Sequence, residues 1–289
     1  MTETAEAHAK LNLSLDIVSK MDDGYHNIKT VMQSISLSDE IEVKCFSGEG
    51  VKVKTNMPFI PGDERNIAAK AALAYFKYTG IKGFKTLINI KKRIPVCAGM
   101  GGGSADGACI LRMLDNMFGT NLGSEQLEKV GATFGSDVPF CIAGGTALAE
   151  GRGEVLTRLT PIPRCFIVVC KPSFSCSTPE LFRRVRCEKI KARPDTDGLI
   201  AALGSSDLRG IAQRMYNVFE DVLPRGMREV EDIKYVMHDN GALGAAMTGS
   251  GPSVFGVFLD AGGANRAHEH LKELYADCYI AQTTQRYNS

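Results

Sequence analysis

The stretch Pro95-Val96-Cys97-Ala98-Gly99-Met100-Gly101-Gly102-Gly103-Ser104-Ala105-Asp106-Gly107-Ala108 decides how the chain is read. Four glycines in five positions leave its backbone N–H groups almost without side-chain cover and open conformations closed to other residues. Ile110, Met113, Leu114 and Met117 follow at helical spacing, with Ser104 as the predicted N-cap and Gly119 as the stop. A glycine loop that opens a helix presents unpaired donors and a partial positive charge, a combination that binds phosphate. The competing reading is a linker, but a linker does not lead straight into an amphipathic helix.

Three better-known glycine fingerprints fail here. A Walker A loop ends in Gly-Lys-Ser/Thr, and the chain contains no Gly-Lys pair. The dinucleotide pattern G-x-G-x-x-G fails because Gly99 and Gly101 lead to Ser104, and Gly101 and Gly103 lead to Asp106. A nucleophile elbow around Ser104 lacks its closing glycine, since Asp106 stands there.

Outward from the loop, Thr86 to Lys92 is a predicted strand feeding it, and a helix runs from Asn66 to a stop at Gly80. At the start of the chain, Leu11, Leu13, Leu15 and Ile17 alternate with Lys10, Asn12, Ser14 and Asp16, a half-buried strand. Tyr25-His26 opens an extended segment towards Leu37, and separate strands are predicted at Ile41–Cys45 and Val51–Lys54. Beyond the loop, Gly135-Ser136-Asp137-Val138-Pro139 predicts a short helix with Asp137 near its start, and Gly144 to Ala149 a strand. Pro161 and Pro163 mark the domain boundary, giving 1–161 and 162–289. The second half reads as a split βαβ sandwich: a strand at Cys165–Cys170, a helix from Pro224 to His238, strands near Leu243 and Val254, a helix from Ala264 and a strand at Tyr279. The basic run Arg183-Arg184-Val185-Arg186, with Lys189, Lys191 and Arg193, reads as a solvated helix face.

Composition narrows the function classes. A net charge of +1 gives no basic excess for nucleic acid or an anionic membrane surface, and no apolar run is long enough to cross a bilayer. The nine cysteines lack C-x-x-C spacing and read as reduced thiols of a cytoplasmic protein. His268 and His270, two apart on a predicted helix, do not share a face for a metal.

If the loop holds a triphosphate, phosphoryl transfer requires a metal ion, a base near the acceptor hydroxyl and a cation for the developing charge. Asp137 and Lys10 are candidates for base and cation, although Asp137 also reads as a helix cap and Lys10 as a solvated strand residue. Tyr25-His26 is suited to stacking on a nucleobase and equally to opening an amphipathic strand.

The pattern Pro-x-x-x-Gly-x-Gly-Gly-Gly-Ser-x-Asp resembles the nucleotide loop of the GHMP kinase superfamily, the small-molecule kinases that include galactokinase, homoserine kinase and mevalonate kinase. Ala9-Lys10-Leu11-Asn12-Leu13, Asp23-Gly24-Tyr25-His26 and Gly135 to Pro139 extend the resemblance, as do Gly145 to Glu154, Tyr216 to Glu220 and Gly249 to Pro252. It implies an α+β, two-domain GHMP kinase fold: an N-terminal α/β domain like the second domain of ribosomal protein S5, then a C-terminal ferredoxin-like split βαβ domain. Asp-Gly-Tyr-His further implies ATP-dependent phosphorylation of the 2-hydroxyl of a methylerythritol joined to cytidine through a diphosphate, a step of non-mevalonate isoprenoid synthesis.

By the same resemblance, Asp137 takes the hydroxyl proton while Lys10 holds Asp137 and stabilises the transferring group. Pro95, Val96, Cys97, Ala98, Gly99, Met100, Gly101, Gly102, Gly103, Ser104 and Ala105 wrap the ATP phosphates, with Ser104 on Mg²⁺. Tyr25 and Phe182 sandwich the cytosine, His26 and Asn12 hydrogen-bond the substrate, and Thr178 lies at the entrance. The partners implied are the cytidyl diphosphate substrate and ATP, with no nucleic acid or membrane, on a monomer or weak homodimer. Three positions depart from the commonest pattern: Ala105 replaces a second serine, Gly107 an alanine and Ser136 an alanine. Competing readings are a GHMP kinase for homoserine or mevalonate, and a nucleotide-sensing or RNA-binding module.

Overall fold

The computed structural model describes residues 1–190, 192–224 and 227–287. Strand β1 (Thr2–Lys20) and strand β2 (His26–Ser47) pair antiparallel along most of their lengths. The break expected after Leu37 does not occur. Asp39 is fully buried there and bound by other elements, so the polar triplet Ser38-Asp39-Glu40 continues the strand instead of turning it. The length of β2 lets its second half pair with β4 (Phe84–Lys91) and its first half with β5 (Thr146–Gly151). β3 (Gly50–Thr55) lies parallel to β4, and β6 (Val155–Arg158) closes a hairpin with β5.

Helices α1 (Ile67–Thr79), α2 (Gly102–Phe118), α3 (Gly123–Ala132) and α4 (Val138–Ala143) pack together, with α2 against β1 and β2. Leu11, Leu13, Val31, Ile35 and Ile88 from the strands and Ile110, Leu111 and Leu114 from α2 are fully buried in this core. Each such side chain contributes about 1.5–3 kcal/mol by leaving water. Helix α1 has the ends read from sequence: Asn66 accepts from Ala68 N–H at 2.9 Å, and Gly80 closes it in a left-handed conformation.

A second sheet begins at β7 (Phe166–Cys170). After it come α5 (Thr178–Arg184), α6 (Thr196–Gly204), α7 (Leu208–Gln213) and the two-residue β8 (Tyr216–Asn217), which pairs parallel with β1 in the first sheet. Then α8 (Glu229–Asp239), β9 (Gly244–Met247), β10 (Val254–Phe258), α9 (Ala261–Leu274) and β11 (Cys278–Gln282) complete the chain order. The sheet order is β11-β7-β10-β9, with every neighbouring pair antiparallel, the arrangement of a split βαβ sandwich.

Helix α8 starts at Glu229, later than the expected Pro224; Arg225 and Gly226 of the expected helix lie outside the described residues. The basic run is not one helix face. Helix α5 ends at Arg184, and Arg193 donates to Asp16 Oδ1 at 2.7 Å and to the Ile17 carbonyl at 3.2 Å; Lys191 lies outside the described residues. All nine cysteines are free thiols. Among the described residues, no helix is long and apolar enough to cross a membrane.

Candidate active site

The glycine loop enters α2 earlier than the sequence predicts. Gly101, not Ser104, is the N-cap, with φ of +66°, and no side chain caps the helix. The first intrahelical bond runs from Ala105 N–H to the Gly101 carbonyl at 2.8 Å, so Gly102, Gly103 and Ser104 sit in the first turn with N–H groups that α2 itself does not use. A capping serine would compete for these donors. Its absence leaves them uncapped by any side chain, the donor arrangement that suits an anion.

Two other elements pin the loop. Lys10 N–H donates to the Met100 carbonyl at 3.1 Å, fastening the loop to β1. On the other side lies the turn at Thr248–Pro252. A Cβ on Gly99 would stand 2.1 Å from the Thr248 carbonyl oxygen, and one on Gly249 would stand 2.6 Å from that of Gly99, so both glycines are required by this backbone contact. Asn217, fully buried on β8, holds the turn by donating through Nδ2 to the Met247 and Gly249 carbonyls, both at 2.8 Å. Thr178 Oγ1 shares a 2.6 Å hydrogen bond with Ser250 Oγ, which joins the start of α5 to the same turn.

Lys10 is not a solvated strand residue: it is 4% exposed, and its ammonium lies 3.3 Å from Asp137 Oδ2. Asp137 stands at the N-terminus of α4, but its side chain makes no capping bond and remains available to Lys10 and to a ligand. A chain of donors fixes the lysine. Lys10 Nζ donates to Asn12 Oδ1 at 2.7 Å, Asn12 Nδ2 to Thr30 Oγ1 at 2.8 Å, and Thr30 Oγ1 to the Ser14 carbonyl. The Asn12 backbone N–H meets Thr248 Oγ1 at 3.0 Å. Asn12 is 1% exposed, and in this structure it holds Lys10 in place. Gly101 lets the loop close over the pair: a Cβ there would lie 3.1 Å from the Lys10 side chain and 3.7 Å from Asp137 Oδ2.

His26 stacks on Phe182 with centroids 4.9 Å apart and planes at 27°, and Phe219 meets Phe182 edge-on at 4.9 Å. Burial lowers the His26 pKa from its ordinary value, with the Lys20 charge adding to the effect, which favours a neutral imidazole able both to donate and to accept. Tyr25 is 58% exposed, with the Arg152 guanidinium 4.1 Å from its ring centroid.

Beneath the loop is a charged cluster that the sequence reading missed. Lys92, at the end of β4, donates to both Asp39 and Asp106, the latter at 2.7 Å; all three are buried. Asp39 also accepts from the backbone N–H groups of Arg93 and Ile94. Burial pushes the Asp106 carboxyl up to about 8, with Lys92 pulling against it and Asp39 reinforcing it. The visible signal was Asp106 in the glycine motif; its partners are strand residues with no mark of their own.

Among the described residues, no group of three or more His, Cys, Asp or Glu side chains is placed to hold a metal ion. Ser104 is half-buried on the first turn of α2, its Oγ 3.9 Å from where a Cβ on Gly135 would stand, and so faces the turn that carries Asp137.

Residues 66–145 match the GHMP kinases N terminal domain and residues 199–277 the GHMP kinases C terminal domain. The chain is 42% identical over 278 residues to a 4-diphosphocytidyl-2-C-methyl-D-erythritol kinase of Clostridium botulinum (strain Alaska E43 / Type E3), covering 96% of this chain and 99% of that one. It is 40% identical over 281 residues to the enzyme of that name from Caldicellulosiruptor saccharolyticus, covering 97% and 96%. A crystal structure of 4-(cytidine 5'-diphospho)-2C-methyl-D-erythritol kinase superposes with a TM-score of 0.82 at 31% identity, covering 97% of this chain and 99% of that one. Homoserine kinase from Cytophaga hutchinsonii shares the fold at a TM-score of 0.76 and 19% identity, covering 99% of this chain and 95% of its own. The chain belongs to the GHMP kinases, in the family of the 4-diphosphocytidyl-2-C-methyl-D-erythritol kinases.

Proposed function

We propose that the protein transfers the terminal phosphoryl group of ATP to the 2-hydroxyl of 4-diphosphocytidyl-2-C-methyl-D-erythritol, in isoprenoid precursor synthesis. The observation that carries this reading is the Lys10–Asp137 pair at 3.3 Å, closed over by Gly101 at the start of α2. The loop N–H groups and the α2 dipole bind the ATP phosphates without a dedicated cation. Asp137 accepts the proton of the acceptor hydroxyl, and Lys10, held by Asn12, orients Asp137 and offsets negative charge on the group in transfer. Ser104 would hold a Mg²⁺ ion, which would supply charge neutralisation at the phosphates. Tyr25, His26 and Phe182 receive the cytosine, with Thr178 at the entrance; homoserine and mevalonate have no base for such a pocket. We also assign residues 1–161 and 162–289 as the two domains, because the chain changes sheets between Arg158 and Phe166. The nine free thiols support a cytoplasmic location.

A coupled assay with purified protein, ATP and Mg²⁺ is expected to show turnover with the cytidyl substrate and none with homoserine or mevalonate. Asp137→Asn is expected to lower kcat about 10²- to 10⁴-fold, the range for a lost general base. Turnover of homoserine or mevalonate without turnover of the cytidyl substrate overturns the assignment, and near-wild-type kcat in Asp137→Asn removes that residue as the base.

A further inference from the structure

One turn touches both ends of the proposed acceptor site. Gly151 to Glu154 joins β5 to β6; Arg152 N–H donates to Glu154 Oε2 at 2.7 Å and Gly153 N–H to the Glu150 carbonyl at 3.0 Å. At Gly153, with φ of +114°, a Cβ would stand 3.8 Å from Asp137 Oδ1, so this backbone lies beside the carboxylate. One residue earlier, Arg152 reaches the other way. Its guanidinium covers Tyr25 at 4.1 Å from the ring centroid and forms an ion pair with Asp23, which in turn accepts from the Tyr25 N–H at 3.0 Å.

Tyr25 is 58% exposed, and a free ring in that position loses rotamer freedom when a ligand stacks on it. A planar guanidinium on one face restrains the ring before the ligand arrives and leaves the other face open. The Asp23 carboxylate occupies the arginine's charge and keeps its plane on the ring.

Resting on the function proposed above, we propose that Arg152 is a positioning residue for the nucleoside end of the acceptor. It backs Tyr25, so that arginine, tyrosine and cytosine form a three-layer stack. Because the same turn carries Gly153 beside Asp137, it also sets the spacing between the base and the hydroxyl to be phosphorylated.

The test is steady-state kinetics of Arg152→Ala and Arg152→Lys, with cytidine and cytidine 5'-diphosphate as competing ligands. Arg152→Ala is expected to raise KM for the cytidyl substrate about three- to fivefold, with KM for ATP and kcat changed less than about 1.5-fold. Cytidine and cytidine 5'-diphosphate should weaken by the same factor, because the lost contact acts through the base. Arg152→Lys should restore only part of the loss, since an ammonium lacks the planar stack. Asp23→Asn, which frees the guanidinium, should shift the same KM in the same direction by a smaller factor. An unchanged KM for the cytidyl substrate overturns the proposal. So does weakening of cytidine 5'-diphosphate with cytidine unaffected, which would make Arg152 a phosphate contact. If the wild-type protein neither turns over the cytidyl substrate nor binds cytidine, the assigned function fails and takes this proposal with it.

Discussion

Asp106 illustrates how a single side chain supports the phosphate loop from below. It is buried on the second turn of α2, its Oδ2 takes the Lys92 ammonium, and its Oδ1 has no hydrogen-bond partner among the described residues. Its pKa rises from 3.8 unfolded to about 8 folded, so between those values the folded state holds a proton that the unfolded chain has released. Stability from this group is therefore full below about pH 4 and is lost as the pH climbs to about 8. Asp106→Asn should flatten that slope in thermal melts taken across the window, while Asp106→Ala, which removes a buried hydrogen bond but leaves Lys92 paired with Asp39, should destabilise by about 1–3 kcal/mol. An unchanged slope in Asp106→Asn would show that the proton resides elsewhere in the cluster. Asp39 and Lys92, as partners, were not legible in the sequence, because 53 residues separate them and only the pairing of β2 with β4 brings them together.

At the scale of elements, the glycine loop works because it is held from both sides. Gly99 has φ of +77°, and a Cβ on it would overlap the Thr248 carbonyl. Gly99→Ala therefore carries about 1–2 kcal/mol of left-handed backbone strain, and the loop must also leave the Thr248–Pro252 turn. The expected result is a raised KM for ATP together with a lower midpoint in denaturant melts; a variant with both at wild-type values would show that the loop does not depend on this contact. Local signals marked this element well: the end of α2 at Gly119 and both ends of α1 fall where the sequence places them. The start of α2 did not. Ser104 carries the usual capping side chain, but the left-handed turn at Gly101 begins the helix earlier, where the loop is held by Lys10 and by the backbone of Thr248 and Gly249.

In the molecule as a whole, the last described residues return from the second sheet to the first. Thr284 N–H donates to the Ser34 carbonyl at 2.9 Å and Tyr287 N–H to that of Ala143 at 3.3 Å. The Tyr287 ring lies 3.8 Å from the Arg112 guanidinium, which donates to the Cys141 carbonyl at 2.7 Å at the end of α4. This fastens α4, whose first turn follows Asp137, to the helix that opens at the glycine loop. Tyr287→Ala should lower stability by about 2 kcal/mol, the scale of a partly desolvated cation–π contact with its buried area, and reduce kcat more than it raises KM for ATP. Wild-type stability in that variant would mean the tail only rests on the surface. Alternating side chains, caps and glycine punctuation act over a few residues, and through them the sequence by itself determined the central part of β1, though not the burial of its polar face, together with α1, the existence of the loop and the split βαβ half. The tertiary structure alone decided that Asn12 meets Thr248 across 236 residues and that Arg152 covers Tyr25. Such contacts depend on strand register and on the closure of long loops, which no local preference encodes.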